Sequence, residues 1–318
     1  MIYKKKQKQL ISVILPVFNA AHYLDLSISS ILNQTYSNLE LLAIYDQSSD
    51  NSLQILKKFK KIDYRVKILF NKTNNLSDAL NLGIYNSHGD YIARMDADDI
   101  SEITRLEFQL ENMTKNDSDI CGSHFIRIDK KGNLIDSKLM PLRKEAVSAQ
   151  LITNVPFAHG SVMIKKKFLK INHLSYCNIG RSEDYRLWIE FYEKNAKFSN
   201  VDKFLYRYRI YADSLSLKSY NQSYKDYKDI RLNFIQNNKL RIENDLKKHI
   251  KSHKILSQDE QNKLLYVVFT FCKYTKSDLF FSALRHCSLY SYLYLILRLL
   301  RGFYKFIRFF RFENFKFS

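Results

Sequence analysis

The chain has 318 residues, 46% hydrophobic and 14% aromatic, with a formal net charge of +19, which gives it ample material for a core and excludes a disordered polyelectrolyte. The four cysteines, Cys121, Cys177, Cys272 and Cys287, show no paired spacing, which speaks against a zinc site or a disulfide framework and for a reducing compartment. With only seven glycines there is no GxGxxG fingerprint and no P-loop, so dinucleotide redox chemistry and P-loop hydrolysis are excluded as readings.

The first element is a buried strand over Ile11-Ser12-Val13-Ile14-Leu15-Pro16-Val17-Phe18-Asn19, stopped by Pro16. Lys4, Lys5, Lys6 and Lys8 precede it, but the apolar stretch is short and strand-like rather than a signal peptide. His22 to Gln34 then carries apolar residues at helical spacing. A second strand, Leu39 to Tyr45, enters a polar turn from Asp46 to Ser52, and Leu53 to Phe59 resumes a helical pattern. A third strand, Val66 to Phe70, leads to a helix around Ser77 to Asn86, and a fourth starts at Tyr91 and ends in Asp96-Ala97-Asp98-Asp99. Strand alternating with helix predicts an α/β fold with a mostly parallel sheet covered by helices on both faces and ligands at the strands' carboxyl ends. Asn19, Asp46 and Asp96 each follow such an end and are expected on one rim.

Three carboxylates within four residues repel one another. A hard divalent cation, Mg²⁺ or Mn²⁺, relieves that repulsion, with substrate phosphates completing its shell; the alternative is a solvated acidic turn capping the helix that starts near Ile103. Arg94 shares a strand face with Asp96, which suits an ion pair. Further on, Asp184 falls in the first turn of a helical pattern formed by Tyr185, Leu187, Trp188, Phe191 and Tyr192. On its residues alone it reads as a general base or as an acid favoured by the helix dipole. Trp188 suits core packing better than a sugar-stacking platform.

Five stretches carry a resemblance to family 2 glycosyltransferases with the GT-A fold: Val13 to Asn19, the Asp46 to Ser52 turn, Ala79-Leu80-Asn81-Leu82-Gly83-Ile84 leading to Gly89-Asp90-Tyr91, Asp96-Ala97-Asp98-Asp99, and Glu183-Asp184-Tyr185-Arg186-Leu187-Trp188. The match runs from about residue 10 to 215, which the resemblance makes the catalytic domain, 1–215, followed by a helical C-terminal region, 216–318. It implies an inverting transferase of the bacterial surface-polysaccharide type. In that family Pro16 and Asn19 match the wall of the nucleotide site, Asp46 the acceptor of the base imide hydrogen bond, Asp96 the carboxylate on the ribose, Asp98 the ligand of Mn²⁺ or Mg²⁺, and Asp184 the general base. His159 lies in a segment that resembles one near the family's acceptor cleft, with a satisfied structural histidine as the equal alternative, and Glu183 reads as positioning backbone or acceptor. Three positions depart from the pattern. Only the second of two paired acids remains, at Asp46. Asn75 stands where glycine is common, a place that tolerates the left-handed conformation. Tyr211 stands where the family usually has histidine, which leaves Arg207 or Arg209 to share the phosphate contact.

Near the C-terminus, Arg298, Arg301, Lys305, Arg308 and Arg311 line one helical face opposite Leu299, Leu300, Phe303, Phe306, Ile307 and Phe310. That is the pattern of a helix lying in an anionic membrane interface through residues 289–312. The apolar run from Leu289 to Leu297 falls short of the roughly 20 residues that span a bilayer. The expectation is a peripheral protein on the cytoplasmic face of the cell membrane, moving a sugar from a nucleotide donor, UDP-linked, to a glycan acceptor on a lipid carrier. The basic charge leaves one rival, a nucleic-acid-binding protein without catalytic activity.

Overall fold

The computed structural model describes residues 9–142, 144–178, 182–211, 220–251 and 258–275, with 277, 279 and 283. The chain divides into two compact units, one formed by Met1–Leu151 with Val155–Ile230, the other by Ile152–Asn154 with Arg231–Ser318.

The first unit opens with the alternation read from the sequence: β1 (Ile11–Val17), α1 (Ala21–Leu32), β2 (Leu39–Tyr45), α2 (Ser52–Ile62), β3 (Val66–Phe70), α3 (Leu76–Asn86) and β4 (Tyr91–Arg94). β1 pairs in parallel with β2 and β4, and β2 with β3. Strands buried on both faces need continuous apolar runs rather than alternation, and β1 and β2 supply them. Val17 is level with Tyr45 and Tyr45 with Phe70. Because Ile14 is level with Arg94, Asp96 comes abreast of Pro16, and the rim predicted for Asn19, Asp46 and Asp96 is formed.

The rest of the sheet is mixed. After β4 come β5 (Ile100–Ser101), α4 (Arg105–Asn116), β6 (Ile120–Ile128), β7 (Leu134–Lys138), α5 (Lys144–Gln150), a short 3₁₀ turn at His159–Ser161, β8 (Met163–Lys165), α6 (Lys166–Asn172), α7 (Glu183–Glu193) and β9 (Phe198–Arg209). The strand order is β3-β2-β1-β4-β8-β6-β9-β5, with β7 paired to β6. β8 runs antiparallel to both β4 and β6, while β6 and β9 are parallel. The core lies between the sheet and α1, α2 and α4, centred on Val13, Leu15, Leu24, Ile28, Leu41, Leu56 and Leu106.

α8 (Tyr220–Asn237) runs from the first unit into the second, whose described helices are α9 (Lys239–Lys251) and α10 (Gln258–Thr275). Ile242, Leu246 and Ile250 of α9 and Leu264, Leu265, Val268 and Phe271 of α10 are buried. Among the described residues no helix is long and apolar enough to cross a membrane. The amphipathic segment expected over residues 289–312 lies outside the described residues.

Candidate active site

The rim begins where the loops after β1 and β2 are knitted together. Asn19 takes a left-handed backbone (φ 47°), which asparagine tolerates, and its Oδ1 accepts from the Ser49 amide at 2.8 Å. Its own amide donates to Ser48 Oγ at 3.0 Å. Asp50 accepts from the amides of Ala21 and Ser52 at 2.8 and 3.0 Å. Pro16 is level with Ile44 in the sheet, and Asn19 serves as a turn-former whose side chain is already engaged. Asp46 is different. It is buried, and its Oδ1 has no hydrogen-bond partner among the described residues. Burial holds its carboxyl above the usual range, against hydrogen bonds from the Asn71 side chain and the Asn74 amide. A buried carboxylate oxygen without a donor costs free energy and is satisfied by an incoming N–H.

Next along the rim stands the acidic cluster, and each of its carboxylates has a different partner. Asp96 forms an ion pair with the buried Arg94 guanidinium, as the shared strand face predicted. The Tyr211 hydroxyl donates to Asp98 Oδ2 at 2.9 Å. Asp99 is buried, accepting from the Tyr206 hydroxyl at 2.7 Å and from the Arg209 amide at 2.6 Å. Burial and the neighbouring acids push the carboxyls of Asp98 and Asp99 upward. The protein thus offsets part of the crowding itself, and both aromatic donors come from the β9 end, some 110 residues away.

Whether this cluster suits a divalent cation turns on its donors. Among the described residues no three His, Cys, Asp or Glu side chains surround one point, so there is no all-protein cage. Asp98 nonetheless offers a hard carboxylate on the rim, and one carboxylate plus substrate phosphates is the usual arrangement for Mg²⁺. The residues fit an ion that arrives with a diphosphate.

The 3₁₀ turn, Tyr176 and the start of α7 bring three polar side chains together. His159 Nδ1 lies 3.7 Å from Glu183 Oε1, and His159 Nε2 is 3.0 Å from the Tyr176 hydroxyl. Burial, aided by the Arg94 charge, keeps the imidazole neutral by driving its pKa far down. Tyr176 is fixed by a two-way clamp, its amide donating to Asn81 Oδ1 at 2.9 Å and its carbonyl accepting from Asn81 Nδ2 at 2.8 Å. Asp184 sits at the α7 N-terminus, where its Oδ1 accepts from the Tyr185 amide at 2.7 Å. Burial first, then the Glu183 charge, push its pKa up to about 7. The Arg94 charge acts on Asp98 and Asp184 as well as on Asp96. Gly160 closes the seam, since a Cβ there would meet the Tyr206 hydroxyl and lie 2.7 Å from Asp96 Oδ2.

Two expectations are corrected, for Arg209 and Asn75, and the core reading of Trp188 holds. Arg209 is no phosphate ligand: it is buried, its Nε donates to the Asp98 carbonyl at 2.7 Å, its Nη1 to the carbonyls of Asp129 and Lys130 at 3.0 and 3.3 Å, and its guanidinium stacks 4.2 Å over Tyr23. Trp188 offers no face to an acceptor, because it is fully buried beside Phe157, His159 and Phe191. Asn75 is an extended N-cap whose Oδ1 accepts from the Asp78 amide at 3.2 Å; the left-handed residue is Asn74. Arg207 is held by Glu102 at 2.5 Å.

Sequence reading missed a brace behind the site. Buried Arg105 donates from Nη2 to the Arg94 carbonyl at 2.6 Å and from Nε to Gln109 Oε1 at 3.1 Å, and Gln109 Nε2 reaches the Ser161 carbonyl at 2.7 Å. Its signal was a charged and an amide residue four apart on the apolar face of α4.

The family model for glycosyl transferase family 2 matches residues 12–171. The O-antigen biosynthesis glycosyltransferase WbnJ of Escherichia coli is 36% identical over 208 residues, covering 64% of this chain and 81% of WbnJ. An uncharacterized glycosyltransferase of Haemophilus influenzae is 32% identical over 270 residues, 80% of this chain and 83% of its own. Among solved structures, S. aureus TarS 1-349 in complex with UDP-GlcNAc superposes with a TM-score of 0.61 at 18% identity, covering 83% of this chain and 81% of TarS 1-349. The mannosyltransferase PcManGT of Pyrobaculum calidifontis, in complex with GDP-Man and Mn²⁺, gives 0.56 at 11% identity over 96% and 84% of the two chains.

Proposed function

This chain belongs to glycosyl transferase family 2 and has the GT-A fold, and we propose that it moves a hexosyl or N-acetylhexosaminyl group from a UDP-linked donor to a hydroxyl of a lipid-linked glycan, with inversion, in cell-surface polysaccharide synthesis. The family membership selects the enzyme over the nucleic-acid-binding alternative raised by the net charge of +19. In this reading residues 1–215 carry the transfer chemistry. Residues 216–318 serve the acceptor side and, through 289–312, hold the protein on the inner face of the membrane.

The observation that carries the donor assignment is the buried, unpartnered Oδ1 of Asp46. The imide N3–H of uracil is a donor, and an ionised carboxylate only accepts. Asp96, oriented by Arg94, receives the ribose hydroxyls, with Pro16 and Asn19 shaping the adjoining wall. Asp98 would hold the Mn²⁺ or Mg²⁺ ion, whose contribution is to neutralise charge on the leaving diphosphate. Asp184 takes the proton of the acceptor hydroxyl as its oxygen bonds to the anomeric carbon, and the electron pair of the breaking C–O bond leaves with the nucleoside diphosphate. A pKa of about 7 at Asp184 suits that task, because a base poised near working pH is still deprotonated and strong enough to accept. Glu183 and His159 flank the acceptor and set the surroundings of Asp184.

Calorimetry of UDP, GDP and CDP with Mn²⁺, Mg²⁺ or EDTA tests the reading. UDP is expected to bind in the presence of metal, to lose that metal dependence in Asp98→Ala, and to bind roughly tenfold or more weakly in Asp46→Ala. Failure of every nucleotide to bind the unaltered chain overturns the donor assignment.

A further inference from the structure

The ribbon formed by β6 and β7 is rigid in construction yet ends in apolar side chains facing water. Its turn, Asp129-Lys130-Lys131-Gly132-Asn133, is wound around one carboxylate: Asp129 Oδ1 accepts from the amides of Lys131 and Asn133 at 2.8 and 2.9 Å, and Oδ2 from Asn133 Nδ2 at 3.0 Å. Gly132 supplies the positive φ of 92° and projects into open space. Lower down, the cross-strand pair Arg127 and Asp136 is locked by Nε to Oδ1 at 2.6 Å, with Lys138 joining at 3.1 Å. The Arg209 guanidinium then ties the carbonyls of Asp129 and Lys130 to that of Asp98, so the ribbon's turn is fastened to the acidic cluster.

On this scaffold Leu134 is 70% exposed, Ile135 49% and Leu139 58%. Leu134 is level with Ile128 and Asp136 with Arg127, so Ile135 is the extra residue of a β-bulge, and both apolar side chains meet solvent. Exposed apolar edge strands are an aggregation hazard that proteins normally blunt, and a ribbon this well braced has no packing reason to carry them. The same stretch, Arg127 to Lys138, holds four cations, Arg127, Lys130, Lys131 and Lys138, against two acids, Asp129 and Asp136, whose carboxylates are occupied by the turn and the cross-strand pair. A second copy would bring the same net charge of +19 to the contact, which opposes self-pairing.

We propose that this ribbon docks on an anionic lipid surface, with Leu134, Ile135 and Leu139 entering the interface and Lys130 and Lys131 meeting the headgroup phosphates. The surface is distinct from residues 289–312 and does not depend on the donor reading. Fastened to the loop of Asp98, it sets the height of the acidic cluster above the bilayer, where an acceptor on a lipid carrier would present its hydroxyl.

The test places a reporter at the tip. Leu134→Trp in the full chain is mixed with vesicles of phosphatidylcholine alone or with phosphatidylglycerol, and its emission is compared with that of the unaltered chain, whose single tryptophan, Trp188, is fully buried. A blue shift and quenching by brominated acyl chains are expected with anionic vesicles only, and weakened about fivefold in apparent affinity for each of Lys130→Ser and Lys131→Ser. Leu139→Trp repeats the measurement should the first variant fold poorly, with UDP binding as the check of the donor site. The proposal is overturned if the chain sediments with anionic vesicles while both reporters stay unquenched, if neither vesicle binds, if inorganic phosphate alone gives the shift, or if the shift occurs without vesicles and grows with protein concentration, the mark of a second copy.

Discussion

Asp184 and Glu183 are adjacent acids at one helix start, and their environments divide their work. Burial and the Glu183 charge raise the Asp184 pKa to about 7, and a general base must be ionised to act, so the acid limb of kcat/KM is expected near that pH. Glu183→Gln keeps the shape facing His159 but removes the charge, and the limb should move to lower pH by at least about half a unit; a limb that stays put separates Glu183 from the base. Asp184→Asn is expected to lower kcat about 10²–10⁴-fold with UDP affinity unchanged. The same substitution should stabilise the fold above pH 7. A carboxyl with a raised folded pKa costs stability as pH climbs from its unfolded value towards the folded one, and asparagine removes that cost. A thermal melt at pH 8 reads it as a higher Tm, about 2–4 °C per kcal/mol relieved. At Asp98 the relevant neighbour is Tyr211, whose hydroxyl occupies Oδ2 at 2.9 Å. Tyr211→Phe frees that oxygen, and Mn²⁺ titration in the presence of UDP, followed by electron paramagnetic resonance, should show affinity rising about threefold or more.

At the scale of elements, the far edge of the parallel sheet is fastened by one carboxylate. Buried Glu40 on β2 accepts from Ser12 of β1, from the His88 amide before β4 and from Lys67 of β3, all at 2.6 Å. These contacts lower its pKa to about 2 despite its burial, so its stabilisation is complete above the unfolded carboxylate pKa and lost as pH falls from about 4 towards 2. Glu40→Gln should cost about 2–4 kcal/mol in urea unfolding at pH 7 while UDP affinity stays unchanged, because the rim lies at the strands' other end. This half of the fold was legible: Leu39–Tyr45 and Val66–Phe70 have the bounds read from their apolar runs. The mixed half was not. β6 buries Ser123 and His124, the latter held by Asp202 and by the Met140 amide, and its register with β9 slips around His124. Such a strand shows no local period, and its partner lies some 80 residues away. The same distance hid the contacts that hold the site's carboxylates. Motif spacing brings Asp96 and Asp98 to the rim, but no local pattern says that Tyr206 and Tyr211 return to them, or that Arg209 spends its donors on backbone carbonyls.

For the whole molecule, a net charge of +19 has to be reconciled with a site that is locally acidic. Under the proposed function the positive charge favours approach to an anionic bilayer while the acidic pocket takes its cation with the diphosphate. Two weak contacts are proposed, the β6–β7 ribbon and the basic residues Arg298, Arg301, Lys305, Arg308 and Arg311 of the sequence. Membrane binding by such elements scales with the apolar area buried and the attraction to anionic lipids, so two contacts hold more firmly than one. Replacing those five residues by serine in the full chain should lower partitioning onto phosphatidylglycerol vesicles by about tenfold or more, and Lys130→Ser with Lys131→Ser should lower it independently, so that the combined variant loses the membrane. Transfer to a short soluble acceptor should survive in all three variants while transfer to a lipid-borne acceptor falls with vesicle binding. Equal loss on both acceptors would assign the basic residues to the donor site instead. The losses should shrink as salt rises, because screening within about 8 Å at physiological ionic strength removes the shared electrostatic part and leaves the apolar one.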